Sequence, residues 1–327
     1  MRSAVAVAAL VLLAGCGTSP VAHTSAGPSS ASSSSPSSLP TTAAHRQLVV
    51  RTLPWRLPKP VGREAVVAVG SRLVVAGGLV AGDQSTAIAY RLDPTNGHIQ
   101  PLRSLPVPVH DTAGVLLGGL PVVIGGGNAR EQDVVQVRRP GGWTVAGHLP
   151  QTRSDLSAFS VDGRVLVLGG YDAVTPAVAS VLASRDGVSW KVIGALPVPV
   201  RYAAGVVQGG TIWLFGGERS GVQQGAVQRI DPATGQASVV AHLPRPLGHA
   251  SAVALGSRIL LMGGRTGSTS TTSQMWWFDP ATRRFTRAGK LPVPLTDASV
   301  GVVGGVGYVV GGESPGVTDR VLAVSLR

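Results

Sequence analysis

The sequence predicts an all-β fold, a six-bladed β-propeller, because two short markers recur six times in phase and the chain between them has the pattern of β-strands. A Gly-Gly doublet ends an apolar run at intervals of about 47 residues, at Gly77-Gly78, Gly125-Gly126, Gly169-Gly170, Gly216-Gly217, Gly263-Gly264 and Gly311-Gly312. A Leu-Pro pair keeps the same interval, at Leu57-Pro58, Leu105-Pro106, Leu149-Pro150, Leu196-Pro197, Leu243-Pro244 and Leu291-Pro292. Such a period indicates a chain of repeated supersecondary units.

The fourth unit shows the strand pattern most clearly. Residues 205–208 and 211–215 are apolar runs joined by a Gly-Gly turn, which is typical of a hairpin of buried strands. Residues 226–230 alternate apolar and polar side chains, as on a half-buried strand, and are followed by turn residues at 231–235. A fourth run, 238–240, leads to the next Leu-Pro pair. Each unit is therefore expected to form one four-stranded blade.

The ends of the repeated region predict how the ring closes. The sixth unit ends at Arg327 after three strands, whereas residues 47–55 form a strand without a unit of its own. If Leu48-Val49-Val50 supplies the outermost strand of the last blade, the sheet edges at both ends of the chain are paired. We therefore expect a propeller over residues 46–327, with its last blade closed by an N-terminal strand.

These repeats resemble the Kelch family of β-propellers, in which the second strand ends in Gly-Gly, the third carries an aromatic residue and the fourth carries a Trp. The doublet is matched in all six units. The third-strand aromatic is matched by Tyr90 and Phe278, and the fourth-strand aromatic by Trp143, Trp190 and Phe285. WD repeats fit less well because their Trp-Asp and Gly-His markers are absent. The resemblance covers about residues 46–327 and implies a propeller, but it does not imply an activity.

Residues 1–15 have the form of an export signal: one basic residue, an apolar run and small residues at the end. Leu13-Ala14-Gly15-Cys16 resembles the bacterial lipobox, which implies cleavage before Cys16 and acylation of that residue. A plain secretory peptide with an incidental Cys is the alternative. The resemblance implies a lipid anchor in the cell membrane on the extracytoplasmic side, because several acyl chains hold a protein firmly.

Residues 16–45 are predicted to be a disordered linker that follows the lipidated Cys. The stretch is rich in Ser, Pro and Thr and has no charged residue up to Ala44. Such a segment buries too little apolar surface to offset the entropy lost on ordering. It would act as a flexible spacer between the membrane and the propeller.

The composition excludes several classes of function. A single Cys leaves no disulfide framework and no paired-thiol centre. Lys and Arg number 28 against 16 Asp and Glu, but the Arg residues are scattered among the blades. Nucleic-acid binding needs a basic stripe, so we expect attraction to anionic envelope polymers or lipid headgroups and no nucleic acid. Gly125-Gly126-Gly127 lacks the Lys and the helix of a phosphate loop.

The antiparallel strands bring two sets of loops to one face, the mouth of the central channel. Five residues after each Leu-Pro pair come Arg63, Asp111, Asp155, Tyr202, His249 and Asp297. Near the doublets come Tyr171, Glu218, Arg265 and Glu313. These ten residues are the candidate ligand-binding set, since such a mixture around a concavity suits a polar ligand. The alternative is that they form only loop ion pairs and turn caps, such as Arg63 between Asp111 and Asp297.

Catalytic and metal chemistry has weaker support. His110 and His249 fall on opposite sides of the ring, so no metal site and no cofactor are expected. Secreted copper radical oxidases use a Kelch propeller but need a Cys bonded to a Tyr, and Cys16 is taken up by the lipobox. Sialic acid mutarotases, other Kelch propellers, open a sugar ring with Arg and carboxylate groups. This chain could supply such groups in Arg63, Arg201, Glu218 and Glu313, although composition alone assigns no acid or base.

The sequence thus predicts a lipid-anchored, monomeric binding module. A carbohydrate, an envelope polymer or a protein partner would bind at its mouth. A carbohydrate-active enzyme of the epimerase or mutarotase type is the alternative function.

Overall fold

The computed structural model describes residues 46–327, and every regular element in this part of the chain is a β-strand. The strands form six four-stranded antiparallel sheets arranged as the blades of a propeller. The sequence-based fold class is therefore confirmed. The predicted export signal, Cys16 and the predicted linker lie outside the described residues.

The first and second strands of the blades follow each Leu-Pro turn and form the inner part of each sheet. The first strands are Ala65–Val69, Ala113–Leu117, Ser157–Val161, Ala204–Gln208, Ser251–Leu255 and Ser299–Val303. The second strands are Arg72–Ala76, Leu120–Ile124, Arg164–Leu168, Thr211–Phe215, Arg258–Met262 and Val306–Val310. Each first strand contacts the first strands of the two neighbouring blades, so the six strands surround a central channel.

The third and fourth strands complete each sheet on the outside. The third strands are Ala89–Leu92, Val134–Arg139, Ser180–Ser184, Ala226–Ile230, Gln274–Asp279 and Val321–Leu326. The fourth strands, given in blade order, are Ile99–Pro101, Gly142–His148, Lys191–Ala195, Ala237–His242, Arg284–Lys290 and Leu48–Thr52. Two short hairpins, Leu79–Val80 with Gln84–Ser85 and Glu218–Arg219 with Val222–Gln223, lie in the loops after two doublets.

The last blade is closed as the sequence predicts. Leu48–Thr52 pairs antiparallel with Val321–Leu326, with Val50 opposite Val324. The pairing continues beyond the strand, where Gln47 and Arg327 exchange backbone hydrogen bonds of 2.6 and 3.0 Å. The first and last parts of the described chain therefore share one sheet.

The two sequence markers meet in space, which explains why they keep the same phase. The second Gly of each doublet donates its backbone N–H to the turn that follows the next Leu-Pro pair, as Gly78 does to Val109 O. In the last blade, Gly312 donates to Val61 O of the first, so this contact also closes the ring. A Cβ at Gly311 would lie 2.2 Å from Val61 O, and its φ of 57° also favours glycine. The doublets thus allow neighbouring blades to touch.

Apolar clusters fill the six contacts between adjacent blades. The cluster between blades six and one contains Leu73 and Val310, and the cluster between blades four and five contains Phe215 and Phe278. All six Leu side chains of the Leu-Pro pairs are buried. Burial between sheets, at about 25 cal/mol per Å2, therefore stabilises the ring. Residues 46–327 contain no helix that is long and apolar enough to cross a membrane.

Candidate functional site

Two loops from each blade meet at one end of the channel. Six of the ten predicted residues lie five positions after a Leu-Pro pair. The residue before each of these six forms a β-bridge with the loop that follows the doublet of the same blade. In the fourth blade this bridge joins Arg201 to Glu218, and in the sixth it joins Thr296 to Glu313. The six positions Arg63, Asp111, Asp155, Tyr202, His249 and Asp297 consequently surround the channel axis, and we call them the mouth ring.

All six residues of the mouth ring have left-handed backbone conformations, with φ between 50 and 59°. Asp and His are enriched in this region, but Arg63 and Tyr202 are bulky residues for which it costs roughly 1–3 kcal/mol. The surrounding structure holds the conformation. The backbone N–H groups of Asp155, Tyr202, His249, Asp297 and Arg63 each donate to the carbonyl of the preceding member at 2.9 to 3.0 Å.

A cavity of about 140 Å3 lies on the axis and is lined by all six side chains of the mouth ring. It adjoins a channel section of about 190 Å3, since the two share lining residues such as Thr112 and Ser299. Small side chains of the first strands, mainly Ala, Ser and Gly, line that deeper section. The mouth ring is therefore the polar end of a narrow channel.

Two arginines on one side of the mouth are each held between two carboxylates. Arg63 donates from Nε to Glu313 Oε1 at 2.7 Å and from Nη1 to Asp111 Oδ2 at 3.2 Å. Arg265 Nη2 lies 2.9 Å from both Asp297 Oδ2 and Glu313 Oε2. Glu313 thus bridges the two guanidinium groups.

Arg201 has the same arrangement across the channel. Its Nη2 donates to Glu218 Oε1 at 2.6 Å, and its Nη1 donates to Asp155 Oδ2 at 3.3 Å. Gln223, from the hairpin of the same loop, donates to Glu218 Oε2 at 3.2 Å. The three arginine side chains are only 17 to 26% exposed, so the ion pairs are largely shielded from water.

His249 connects the two groups of ion pairs. Its Nδ1 lies 2.7 Å from Asp297 Oδ1, and its Nε2 lies 3.4 Å from Glu218 Oε2. An ionised carboxylate only accepts hydrogen bonds, so the doubly protonated imidazolium satisfies both contacts. The Tyr202 ring stacks on the imidazole with centroids 3.9 Å apart.

Aromatic rings flank the Arg201 guanidinium. Its central carbon lies 5.2 Å from the ring centroids of both Tyr171 and Tyr202. These distances are within the range of cation–π attraction. Tyr171, Arg201, Tyr202 and His249 therefore form a continuous series of planar groups on one wall of the mouth.

The contacts of His249 perturb the acids around it. The hydrogen bond from His249 holds the pKa of Glu218 at about 2. Burial is the largest single influence on both groups and acts to raise the pKa of Asp297 and to lower that of His249. Their mutual hydrogen bond, the further contact of His249 with Glu218 and the nearby opposite charges together outweigh it, so the pKa of Asp297 is lowered and that of His249 is raised. The ionised form of Asp297 and the protonated form of His249 are therefore both favoured.

Asp155 behaves in the opposite way. Burial, together with the nearby charge of Asp111, raises its pKa despite the contact with Arg201. A raised pKa favours the neutral carboxylic acid. The guanidinium groups of Arg63, Arg201 and Arg265 and the imidazole of His249 thus alternate with the carboxyl groups of the mouth, so no single sign of charge dominates it.

The structure brings all ten predicted residues to the mouth, with Tyr171, Glu218, Arg265 and Glu313 around the mouth ring. They form the ion pairs that the alternative interpretation expects, and these pairs also line a cavity. The expected pairing of Arg63 with Asp111 is present, but its second hydrogen-bonded partner is Glu313. Arg201, which the sequence suggests only for the enzyme alternative, contacts Asp155, Glu218, Tyr171 and Tyr202 at the centre of this cluster.

Sequence reasoning did not identify Glu64 and Arg153 as unusual. Glu64 is 1% exposed, and neither of its carboxylate oxygens has a hydrogen-bond partner among the described residues. Burial raises the pKa of Glu64 to about 8. Arg153 occupies a turn position where other blades have Val or Leu, and it donates to Ser180 Oγ at 2.7 Å. A charged residue where other repeats have an apolar one was the available signal for Arg153.

Histidine and acidic side chains are close together at the mouth, but in residues 46–327 no group of three or more is arranged to hold a metal ion. His110 lies beside Asp111, with Nε2 3.4 Å from Oδ2, and its Nδ1 is 2.8 Å from Ser85 Oγ. The hydrogen bond with Ser85 and the contact with Asp111 hold the imidazole next to the mouth ring.

Comparison with known proteins agrees with this architecture. The family model described as Kelch motif matches residues 246–292, which span the fifth blade. Among solved structures, one described as the structure of YjhT has a TM-score of 0.72 and 17% sequence identity, and the match covers 84% of this chain and 99% of that one. No curated protein matches the sequence. At this identity, the structural likeness concerns the fold alone.

Proposed function

This chain is a Kelch-repeat β-propeller, and from that premise we propose that it is a binding module that takes a neutral carbohydrate at its mouth. We propose further that acylated Cys16 anchors it to the extracytoplasmic side of a bacterial membrane. The anchor rests on the Leu13-Ala14-Gly15-Cys16 sequence. The carbohydrate rests on the geometry of the mouth.

The observation that carries the proposal is the pairing of every central guanidinium group with two carboxyl groups. A strongly charged ligand would have to compete with ion pairs that are already formed and shielded. A sugar hydroxyl, in contrast, donates to a carboxylate and accepts from a guanidinium without displacing either. Paired charges held in fixed positions thus favour a neutral polyol over an anion or a cation.

The wall formed by Tyr171, Arg201, Tyr202 and His249 supports the same ligand class. Aromatic rings present apolar faces and polar edges, which suits the mixed surface of a sugar ring. The backbone hydrogen bonds of the mouth ring hold Tyr202 and His249 in place before a ligand arrives. Preorganisation of this kind reduces the entropy lost on binding.

The test is calorimetric titration of the full-length chain with a panel of neutral mono- and disaccharides and with soluble glycan fragments of the bacterial envelope. We expect at least one to bind, and Arg201→Gln and Glu313→Gln to weaken it about tenfold or more, since each change leaves a partner unpaired. Arg91→Gln, on the outer part of blade one, is the matched control. Absence of binding by the whole panel would exclude a carbohydrate and leave a protein partner at the mouth.

One observation favours the enzyme alternative: Asp155 and Glu218 share Arg201 but have pKa values displaced in opposite directions. Such a pair can provide a proton donor and a proton acceptor in one site. If a sugar of the panel is converted, for example between anomers, Glu218→Gln would abolish turnover while binding persists. That result would make the protein a carbohydrate-active enzyme.

A further inference from the structure

A second cavity, separate from the axial one, lies between the Leu-Pro turn and the third strand of the fifth blade. It has a volume of about 320 Å3, and its lining includes Trp276, Arg245, Arg287, Thr266, Thr272 and Gln274. Three leucines, at 243, 247 and 261, form its apolar base. We call it the blade-5 cavity.

The position of Trp276 on the third strand is occupied in two other blades by a Gln whose carboxamide binds the Leu-Pro turn. Trp276 lies opposite Leu261, the fourth residue of the second strand, and Gln136 and Gln228 have the same register in blades two and four. Gln228 accepts from the N–H of Val198 at 3.0 Å and donates to its carbonyl at 2.9 Å. Gln136 makes the same pair of bonds with Val107.

The turn residue that corresponds to Val198 in the fifth blade is Arg245, one residue after the Leu-Pro pair. Among the described residues no hydrogen bond reaches its backbone N–H or carbonyl. An indole cannot replace a carboxamide here, because its single N–H donates and accepts nothing. Because blade five has Trp276 where blades two and four have Gln, the backbone N–H and carbonyl of Arg245 remain available beside the cavity to an amide group of a ligand. We call this pair of groups the open amide site.

The other blades do not offer the same site. In blades three and six the position is filled by Leu182 and Leu322. In blade one it is Tyr90, and the cavity there is about 110 Å3 and bordered by Val80 and Ile88 instead of Thr266 and Gln274. The blade-5 cavity thus combines the open amide site with a larger volume and a more polar rim than the corresponding cavity of blade one.

The charge of the cavity selects an acidic ligand. Arg245 and Arg287 line it, no acidic residue does, and the Arg287 guanidinium lies 5.7 Å from the Trp276 ring. Neither arginine has a carboxylate partner within salt-bridge distance among the described residues. In this respect they differ from the arginines of the mouth, each of which is held by two carboxyl groups.

We propose that the blade-5 cavity binds an acidic peptide segment of a partner protein through the side-chain amide of an Asn or Gln. The amide would take the place that Gln228 fills in blade four, Trp276 and the leucines would contact apolar atoms, and Arg245 and Arg287 would pair with flanking carboxylates. A peptide is favoured over an acidic N-acetylated sugar because the trans amide of an acetamido group directs its N–H and C=O to opposite sides. Such a group cannot face both backbone groups of Arg245.

The test uses fluorescein-labelled, C-terminally amidated pentapeptides with glutamates at both ends and Gln or Asn at the centre, titrated with the full-length chain by fluorescence polarisation. We expect binding that weakens about tenfold or more, or about 1.4 kcal/mol, when the central amide residue is replaced by Leu. Replacement of the glutamates by lysines should abolish it.

The matched variant is Trp276→Gln, which introduces the residue that blades two and four carry at this position and should close the site with an internal amide. We expect it to fold, to lose peptide binding at least tenfold and to leave the mouth unaffected, whereas Lys191→Ala on blade three should change nothing. Arg245→Val and Arg287→Ser should each weaken binding. The proposal is overturned if none of these peptides binds, if binding is insensitive to Trp276→Gln, or if N-acetylmuramic acid binds in their place. Sugar binding at the mouth is measured separately, so failure of one site does not imply failure of the other.

Discussion

At the scale of the residue, the molecule places strain and charge in the same ring. Arg63 and Tyr202 adopt a backbone conformation that their side chains disfavour. In this conformation all six side chains of the mouth ring line one axial cavity. Strained positions of this kind concentrate at functional sites. The sequence period placed these residues on a ring, but it contained no sign of their left-handed conformation.

Glu64, directly after Arg63, is the residue with the clearest pH signature. Its folded-state pKa of about 8 exceeds its ordinary value of 4.5, so between these values the folded protein holds the extra proton. Stability is then full below the lower value and falls as the pH rises, by at most about 1.4 kcal/mol per pH unit. Glu64→Gln removes this loss, and we expect the variant to gain stability over the wild type from about pH 5 to about pH 8.

Urea denaturation at several pH values measures this difference. Asp83→Asn is a suitable control because Asp83 is an exposed carboxyl in a left-handed turn that Asn also tolerates. Equal stability differences for Glu64→Gln at both ends of the pH range would contradict a buried neutral Glu64.

At the scale of the element, the contact between one doublet and the next Leu-Pro turn unites two features that are far apart in sequence. The same contact recurs from blade to blade, and between the last blade and the first it joins Gly312 to Val61. A doublet therefore cannot change without affecting its neighbour. The closing strand Leu48–Thr52 acts in the same way on the remaining edge, since it ties the start of the described chain to Val321–Leu326.

Val49→Pro tests this closing strand. Val49 lies opposite Ser325, two residues along from the hydrogen-bonded pair Gln47 and Arg327, so its backbone N–H faces the partner strand. Proline cannot donate that hydrogen bond, so the change should lower the melting temperature by about 5 °C or more. Val49→Thr keeps the N–H and the β-branched shape, and we expect it to melt within about 2 °C of the wild type. Equal melting temperatures for the two variants would mean that the strand contributes little to ring stability.

At the scale of the whole molecule, the basic excess and the mouth are separate features. The sequence carries a formal net charge of +12, yet the mouth holds Arg63, Arg201 and Arg265 together with five acidic residues. The surplus cations therefore lie outside the mouth. They are free to attract anionic lipid headgroups or envelope polymers, an interaction that salt screens, while the mouth remains suited to a neutral ligand.

The proposed anchor also belongs to the whole molecule. Cys16→Ala should abolish palmitate labelling and move the protein from the membrane fraction to the soluble fraction, because acyl chains would supply the firm attachment. Globomycin, which blocks lipoprotein signal cleavage, should cause the unprocessed form of the wild type to accumulate. Unchanged membrane association in Cys16→Ala would contradict the anchor, and Ser19→Ala is a control in the same segment.

The sequence by itself determined the number of blades, the closing strand and the set of residues at the mouth. Each of these follows from the repeat spacing along the chain. The distance of a residue from a doublet or a Leu-Pro pair assigns it to a blade and to a loop, and the antiparallel strands place that loop at one end of the ring. Tertiary structure alone decided which side chains pair. Arg63 pairs with Glu313, burial raises the pKa of Asp155, and Trp276 leaves open an amide site that Gln228 fills one blade earlier. These outcomes depend on distances across the ring and on burial, which arise only when blades far apart in sequence pack around one axis.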